Sequence, residues 1–235
     1  MILSWLIEFI RIALYLARRH YIWLNERGKM LEKIGTEEFR SLSRPQYTTI
    51  GNIEKLLETN ESPAIAEIGI GIGATTRGIA EKLNGRGEIH IFDFDSKVDE
   101  LAGDLKDLGF INIVPHGNTE KYWDSYHWSL MRMWLDVKKP VFDYVYLDGA
   151  HTVLHDLPAF FIADKLLKVG GTIDLDDYSW TFASSKSMNS VRDRYMTPEQ
   201  EGAAQVKMIV DTFIAGNKRF ETLVENRIYR KIEES

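Results

Sequence analysis

Cysteine is absent from the 235 residues of this chain. Its absence excludes disulfides, iron–sulfur clusters, zinc sites built on thiolates and cysteine nucleophiles. A chain without disulfides fits a reducing compartment, and we expect the protein in the cytoplasm.

The chain also lacks an excess of basic residues: 29 Lys and Arg stand against 35 Asp and Glu, for a formal net charge of -6. Nucleic-acid binding needs clustered Lys and Arg to contact phosphates, so we expect no nucleic-acid partner. Hydrophobic residues make up 44% and charged residues 27% of the chain, as in ordinary globular proteins. The length favours one domain with an extension: a helical extension over residues 1–60 and a larger domain over 61–235.

No apolar run reaches the roughly 18–20 residues that a membrane span needs. The most apolar stretch, residues 1–24, is interrupted by Glu8 and Arg11 and lacks the pattern of a secretion signal. Its polar residues recur at steps of three and four, which predicts a helix that is apolar around most of its circumference. We expect this helix to pack on its own domain and to form a homodimer. The alternative is a peripheral membrane helix anchored by Trp5 and Trp23.

Short apolar runs alternate with helical patterns after residue 63, which predicts βαβ units and a parallel sheet. Residues 220–232 instead predict an antiparallel hairpin that turns at Asn226. The expected fold is therefore α/β and Rossmann-like, with a mostly parallel seven-stranded sheet between helices and a C-terminal hairpin. The predicted strands cover residues 64–69, 88–93, 111–115, 142–148 and 171–177, and the predicted helices cover 74–83, 99–109, 152–167 and 201–216.

A glycine-rich loop, EIGIGIG, joins the first strand to its helix, and Asp93 ends the second strand. Glycines permit close approach of a ligand to the backbone, and a carboxylate in this place can accept both ribose hydroxyls. Together they predict a cofactor that contains a nucleoside. Gly69, Gly71 and Ala74 also match the dinucleotide-binding pattern G-x-G-x-x-A, so NAD is an alternative cofactor. Glu67 favours S-adenosylmethionine, because an acidic residue suits its sulfonium and ammonium groups better than a pyrophosphate.

Acidic residues also end the fourth and fifth strands, at Asp148 and at Asp176 and Asp177. Adjacent parallel strands are about 5 Å apart, so these carboxylates repel one another unless a cation lies between them. A hard divalent ion such as Mg²⁺ meets that need, and His151 is a candidate general base. The alternatives are that the aspartates cap a helix or are solvated, and that His151 only neighbours a helix N-cap. Asp174 either contacts the ligands from behind or replaces Asp177 as a ligand.

The ordered motifs EIGIGIG, FDFD, HGN, LDGAH, LLKVGG and DLDDY resemble those of class I S-adenosylmethionine-dependent methyltransferases. Within that superfamily the chain looks most similar to metal-dependent O-methyltransferases of small molecules, especially those that act on sugars. The resemblance implies that Glu67 and Gly69 hold the methionine end, Asp93 the ribose and Asn118 the adenine. It also implies three metal ligands, Asp148, Asp176 and Asp177. The residues expected to bind the cofactor are Glu67, Gly69, Gly71, Gly73, Asp93, Asn118 and Asp148.

The resemblance predicts metal-assisted methyl transfer to a hydroxyl of a small molecule, with catalytic roles for His151 and Asp148. Some related sugar enzymes use an Asp two residues after the first ligand, but Ala150 occupies that position here. Two other functions stay open: a nicotinamide-dependent oxidoreductase, and a non-catalytic protein that acts through its N-terminal helix.

Overall fold

The computed structural model describes residues 29–185, 192 and 194–234. Within them a single seven-stranded sheet has the order β3-β2-β1-β4-β5-β7-β6. Strands β1 to β5 pair in parallel, and β7 pairs antiparallel with both β5 and β6. The strands are Ala64–Ile68 (β1), Glu88–Phe94 (β2), Ile113–Asn118 (β3), Phe142–Leu147 (β4), Leu167–Leu175 (β5), Phe220–Val224 (β6) and Ile228–Lys231 (β7). This topology confirms the fold predicted from the alternation of strands and helices.

In the described part of the chain, five helices of ten or more residues flank the sheet and bury their apolar faces against it. One hydrophobic cluster joins the three of these helices that precede β3 to the sheet, and a second joins the two later helices and the C-terminal helical segments to it. No helix in residues 29–185, 192 and 194–234 is long and apolar enough to cross a membrane. The five helices are Tyr47–Leu56 (α1), Ala74–Leu83 (α2), Asp95–Asp107 (α3), Tyr126–Val137 (α4) and Val153–Leu166 (α5).

The helix predicted over residues 201–216 is broken into shorter segments. Helices Pro198–Gly202 (α6) and Gln205–Ile209 (α7) are separated by extended backbone at Ala203, and a π-helical turn, Val210–Ile214, follows. The break allows the Gln205 side chain to accept a hydrogen bond from the Val153 amide at 2.8 Å. Amides at the start of a helix have no acceptor within that helix, so Gln205 supplies the acceptor that the first turn of α5 needs.

Strand β5 begins earlier than predicted. The sequence predicts this strand over residues 171–177, but it runs from Leu167 to Leu175, and its pairing with β4 shifts register between Phe142 and Tyr144. Gly170, with φ of 86°, accommodates this irregularity within the strand.

The helix expected over residues 1–24 lies outside the described residues. The described part of the predicted extension packs on the larger domain: Ile50 and Ile53 of α1 are buried in the same cluster as Ile79 of α2. A Cβ on Gly78 would lie 2.4 Å from Ile50 Cδ1, so the small residue brings α1 close to α2. The homodimer and membrane interpretations both depend on residues 1–24 and stay predictions.

Lys231 on β7 is completely buried beneath the end of α5. Its ammonium donates to the carbonyl oxygens of Asp164 at 2.7 Å and Leu167 at 3.1 Å. The last carbonyls of a helix lack partners within the helix, and a cation near them is favourable. This contact therefore fastens β7 to α5.

We expect Lys231→Met to lower the free energy of unfolding by about 2–4 kcal/mol, because it leaves buried carbonyls without a donor. Lys168→Met is the matched control, since Lys168 is 43% exposed and pairs with Asp143 at the surface. We expect Lys168→Met to lower the free energy of unfolding by less than about 1 kcal/mol. Urea denaturation of both variants measures the difference, and equal losses would contradict the special role of Lys231.

Candidate functional site

The carboxyl ends of β1, β4 and β5 lie side by side. Beyond the strands, the Asp148 amide donates to the Ile68 carbonyl at 2.8 Å, and the Asp176 amide donates to the Leu147 carbonyl at 3.1 Å. The sequence-predicted residues Glu67, Asp148 and Asp176 therefore lie at one edge of the sheet, where open α/β sheets bind ligands.

The glycine loop after β1 has three left-handed residues, Gly69, Gly71 and Gly73, with φ of 85°, 53° and 82°. A Cβ on Gly69 would lie 1.9 Å from the Asp148 carbonyl oxygen, so this position accepts no side chain. A Cβ on Gly71 would have no atom within 4 Å. The loop thus packs tightly against the β4 end at Gly69 and presents open backbone at Gly71.

Glu67 has a buried carboxyl group, with only 1% of the residue exposed, and its Oε2 has no hydrogen-bond partner among the described residues. Burial raises its pKa to about 8, and the nearby charges of Asp148 and Asp93 add to the effect. An unpaired buried carboxyl oxygen is costly, so this position is prepared for a cationic or hydrogen-bond-donating ligand.

Asp93 and Asn118 end the next two strands. Asp93 accepts hydrogen bonds from the amides of Phe94 at 2.7 Å and Ile70 at 3.2 Å, which tie it to the glycine loop. Asn118 is buried, and its Oδ1 has no partner among the described residues. The structure therefore brings Glu67, the glycine loop and Asp93 into one area, with Asn118 two strands away from Glu67.

A buried pair, Tyr126 and Asp156, shapes the loop that carries His151. The Tyr126 hydroxyl donates to Asp156, and the Ala150 amide donates to Tyr126 Oη at 3.1 Å and Asp156 Oδ1 at 3.2 Å. A Cβ on Gly149 would lie 2.5 Å from Asp156, so Gly149 is required for this packing. Sequence reasoning missed both partners, although an acidic residue in a largely apolar helix pattern was a signal for Asp156.

His151 faces two carboxylates. Its Nε2 lies 3.4 Å from Asp177 Oδ2 and 3.8 Å from Asp148 Oδ1. One ligand atom from each of the three side chains lies within 4.8 Å of the others, and we call Asp148, His151 and Asp177 the His151 cluster. His151 and Asp177 both have positive φ, 55° and 59°, a strained conformation that often marks functional sites. The Trp180 ring lies 5.0 Å from the His151 ring and forms a wall beside it.

Asp176, a predicted metal ligand, lies outside the His151 cluster. It accepts hydrogen bonds from Arg227 Nη1 at 3.0 Å and from the Tyr146 hydroxyl at 2.7 Å. Asp174 is also paired with Arg227, at 2.9 Å from Nε. Sequence reasoning missed Arg227; its signal was Asp174, a carboxylate inside a strand that needs a cationic neighbour.

Asp148 links the two groups, because the Tyr146 hydroxyl contacts both Asp148 Oδ2 at 2.9 Å and Asp176 Oδ2. Burial raises the pKa of Asp148 to about 7, and the charge of Asp176 contributes. A cation at the His151 cluster would favour the ionised carboxyl group. Two carboxylates and an imidazole form a chemically reasonable donor set for a divalent transition-metal ion, so the residues fit such a group.

No protein-family model and no curated protein matches this sequence. Solved structures do match. The O-methyltransferase TomG from Streptomyces achromogenes, involved in tomaymycin synthesis and solved with S-adenosylmethionine, is 15% identical, with a TM-score of 0.56 over 88% of this chain and 92% of its own. The Bacillus cereus O-methyltransferase solved with S-adenosylhomocysteine is 17% identical, with a TM-score of 0.55 over 92% and 97%.

A Staphylococcus aureus protein, provisionally named a caffeoyl-CoA O-methyltransferase, is 17% identical, with a TM-score of 0.55 over 92% of this chain and 99% of its own. At these identities the comparisons establish the fold. This chain has the class I methyltransferase fold, as the ordered motifs predicted.

Proposed function

We propose that the protein transfers a methyl group from S-adenosylmethionine to a hydroxyl of a small molecule. The observation that carries the proposal is the buried Glu67 Oε2, which has no hydrogen-bond partner in the described part of the chain. It lies beside a glycine loop, one strand away from the His151 cluster. A cationic cofactor group would favour the ionised Glu67 carboxylate and pair with it, whereas the pyrophosphate of NAD would oppose that ionisation and gain no ion pair.

The residues that would hold the cofactor are those at the ends of β1, β2 and β3. Glu67 would meet the positive methionine end, the open backbone at Gly71 would allow close approach, and Asp93 would accept the ribose hydroxyls. Asn118 Oδ1, buried and without a partner among the described residues, would accept a hydrogen bond from the adenine. When bound, S-adenosylmethionine supplies an electrophilic methyl group on its sulfonium sulfur.

His151 is the proposed general base. Its Nε2 would take the proton of the acceptor hydroxyl as the hydroxyl oxygen forms its bond to the methyl carbon. The bond from that carbon to the sulfonium sulfur would break in the same step, with its electron pair left on the sulfur. Asp177 and Asp148 face that nitrogen and would stabilise the imidazolium that forms. Trp180, with Phe182 packed against it at 4.6 Å, would wall the acceptor site.

A divalent cation at the His151 cluster is a second proposal, supported by the three convergent donors. Asp148, Asp177 and Nε2 of His151 would hold it, and the bound ion would lower the pKa of an acceptor hydroxyl. Nε2 cannot bind the cation and accept a proton at once, so the two proposals give His151 different roles. The imidazole ligand favours Mn²⁺ or a similar ion over the Mg²⁺ expected from the sequence.

Calorimetry with S-adenosylmethionine and with NAD tests the cofactor, and we expect binding of the first alone. Because the free protein holds Glu67 largely protonated at pH 7, binding of a cation there should release nearly one proton. Affinity should therefore rise with pH up to about 8 and then level off. Measurements in two buffers of different ionisation enthalpy give the number of protons released.

Glu67→Gln is the matched control, and it should bind more weakly without the proton release. Since the pKa of Glu67 is raised on folding, its contribution to stability is lost as pH rises from about 4.5 to 8. The ligand-free variant should therefore melt at a higher temperature than the wild type at pH 8. Tight NAD binding, or equal proton release by the variant, would contradict the proposal.

Assembly and location complete the proposal. We expect two copies to pair through residues 1–24 and the protein to be cytoplasmic. These expectations depend on the apolar pattern of the first residues and on the absence of cysteine.

A further inference from the structure

Arg227, on the turn between β6 and β7, supplies a positive charge beneath the candidate site. Its guanidinium contacts Asp174 Oδ1 at 2.9 Å, Asp176 Oδ1 at 3.0 Å and Thr49 Oγ1 at 3.2 Å. The two carboxyl side chains are 0% and 7% exposed, and the Arg227 side chain is 21% exposed. We call these four residues the Arg227 network.

Both carboxyl oxygens of Asp176 have partners within this part of the structure. Oδ1 accepts from Arg227 and from the Asp177 amide at 2.9 Å, and Oδ2 accepts from the Tyr146 hydroxyl. To bind an ion in the His151 cluster, Asp176 would have to give up charge-assisted hydrogen bonds in a buried place, which is costly.

We infer that Arg227 is a positioning residue that withholds Asp176 from the His151 cluster, so that two carboxylates and not three face His151. The inference rests on the proposed cation site and does not depend on methyl transfer. Through Arg227, the C-terminal hairpin would then determine which carboxylates face His151.

The charge balance supports this division. Asp174 and Asp176 share the positive charge of Arg227, whereas Asp148 and Asp177 have no arginine or lysine among their described ion-pair partners. Two carboxylates and a neutral imidazole balance the charge of one divalent ion. A third carboxylate would leave the site negative.

Mn²⁺ alone is the probe, titrated calorimetrically into the full-length wild-type protein and into isosteric variants. We expect Asp176→Asn to bind Mn²⁺ within threefold of the wild type. Asp148→Asn and Asp177→Asn should each bind at least tenfold more weakly. The inference would be overturned if Asp176→Asn lost as much Mn²⁺ affinity as Asp177→Asn. It would also be overturned if the wild type did not bind Mn²⁺ at millimolar concentration.

Arg227→Gln tests the withholding directly. Once the guanidinium is removed, Asp176 becomes available, and we expect Mn²⁺ to bind at least tenfold more tightly. A folded Arg227→Gln protein with wild-type affinity would overturn the inference. Should circular dichroism show that this variant does not fold, the Asp176→Asn comparison still decides. S-adenosylmethionine binding, measured in parallel, separates failure of this inference from failure of the proposed methyl transfer.

Discussion

Replacing His151 with alanine should lower the turnover number for methyl transfer by about 10²- to 10⁴-fold, the usual contribution of a positioned acid–base group. The affinity for S-adenosylmethionine should stay within threefold, because His151 lies on the β4 loop and not on the glycine loop. Single-turnover methylation of a panel of phenols and sugars gives the rate, and calorimetry gives the affinity.

His155→Asn is the matched control, since His155 lies four residues further on and its Nδ1 contacts Thr152 Oγ1 at 2.8 Å. Asparagine can keep that contact, so we expect at least half of the wild-type rate.

Added imidazole and a chelator separate the two roles of His151. If Nε2 is the base, imidazole should restore part of the rate of His151→Ala, and the wild type should be unaffected by chelator. If Nε2 binds a cation, the chelator should abolish the wild-type rate. Unchanged turnover in His151→Ala would remove this residue from both proposals.

Gly69→Ala should destabilise the protein by more than about 4 kcal/mol, and it is the largest stability effect we expect. The new methyl carbon would lie 1.9 Å from the Asp148 carbonyl oxygen and 2.7 Å from its carbon. Both are backbone atoms of the residue that follows β4, whose amide donates to the Ile68 carbonyl, so neither can move far without disturbing that contact.

Gly71→Ala is the control within the same loop. Its φ of 53° lies in the left-handed region, which costs alanine about 1–2 kcal/mol, and no atom lies within 4 Å of the added carbon. We therefore expect a folded protein that binds S-adenosylmethionine at least tenfold more weakly, because the methyl group would occupy the open side of the loop. Chemical denaturation and calorimetry measure the two effects, and equal stability of both variants would contradict the packing argument.

The parallel sheet with its C-terminal hairpin was predictable because short apolar runs and helical patterns alternate along this chain. The positions of Glu67, Asp93 and Asp148 followed, since each lies within one residue of the end of a strand and parallel strands end at one edge. Their places in the structure therefore follow from the local sequence pattern together with the topology of the sheet.

The partner of Asp176 was not predictable, since Arg227 lies 51 residues away and reaches it through an antiparallel hairpin. The sequence showed that the aspartates need positive charge, but an arginine and a metal ion meet that need equally well. The break at Ala203 was not predictable either. It allows Gln205 to accept a hydrogen bond from the Val153 amide, and helical periodicity contains no information about contacts between such distant segments.

The Arg227 network also constrains when the site can form during synthesis. Thr49 and Arg227 are 178 residues apart, and β7 must insert between β5 and β6 before they meet. Contacts of such separation form late, because the intervening chain must first be ordered. A nascent chain that has emerged through β5 already carries Glu67, Asp93 and Asp148 but leaves Asp174 and Asp176 without their counter-ion. Under the proposed function, methyl transfer should therefore appear only after the hairpin has left the ribosome.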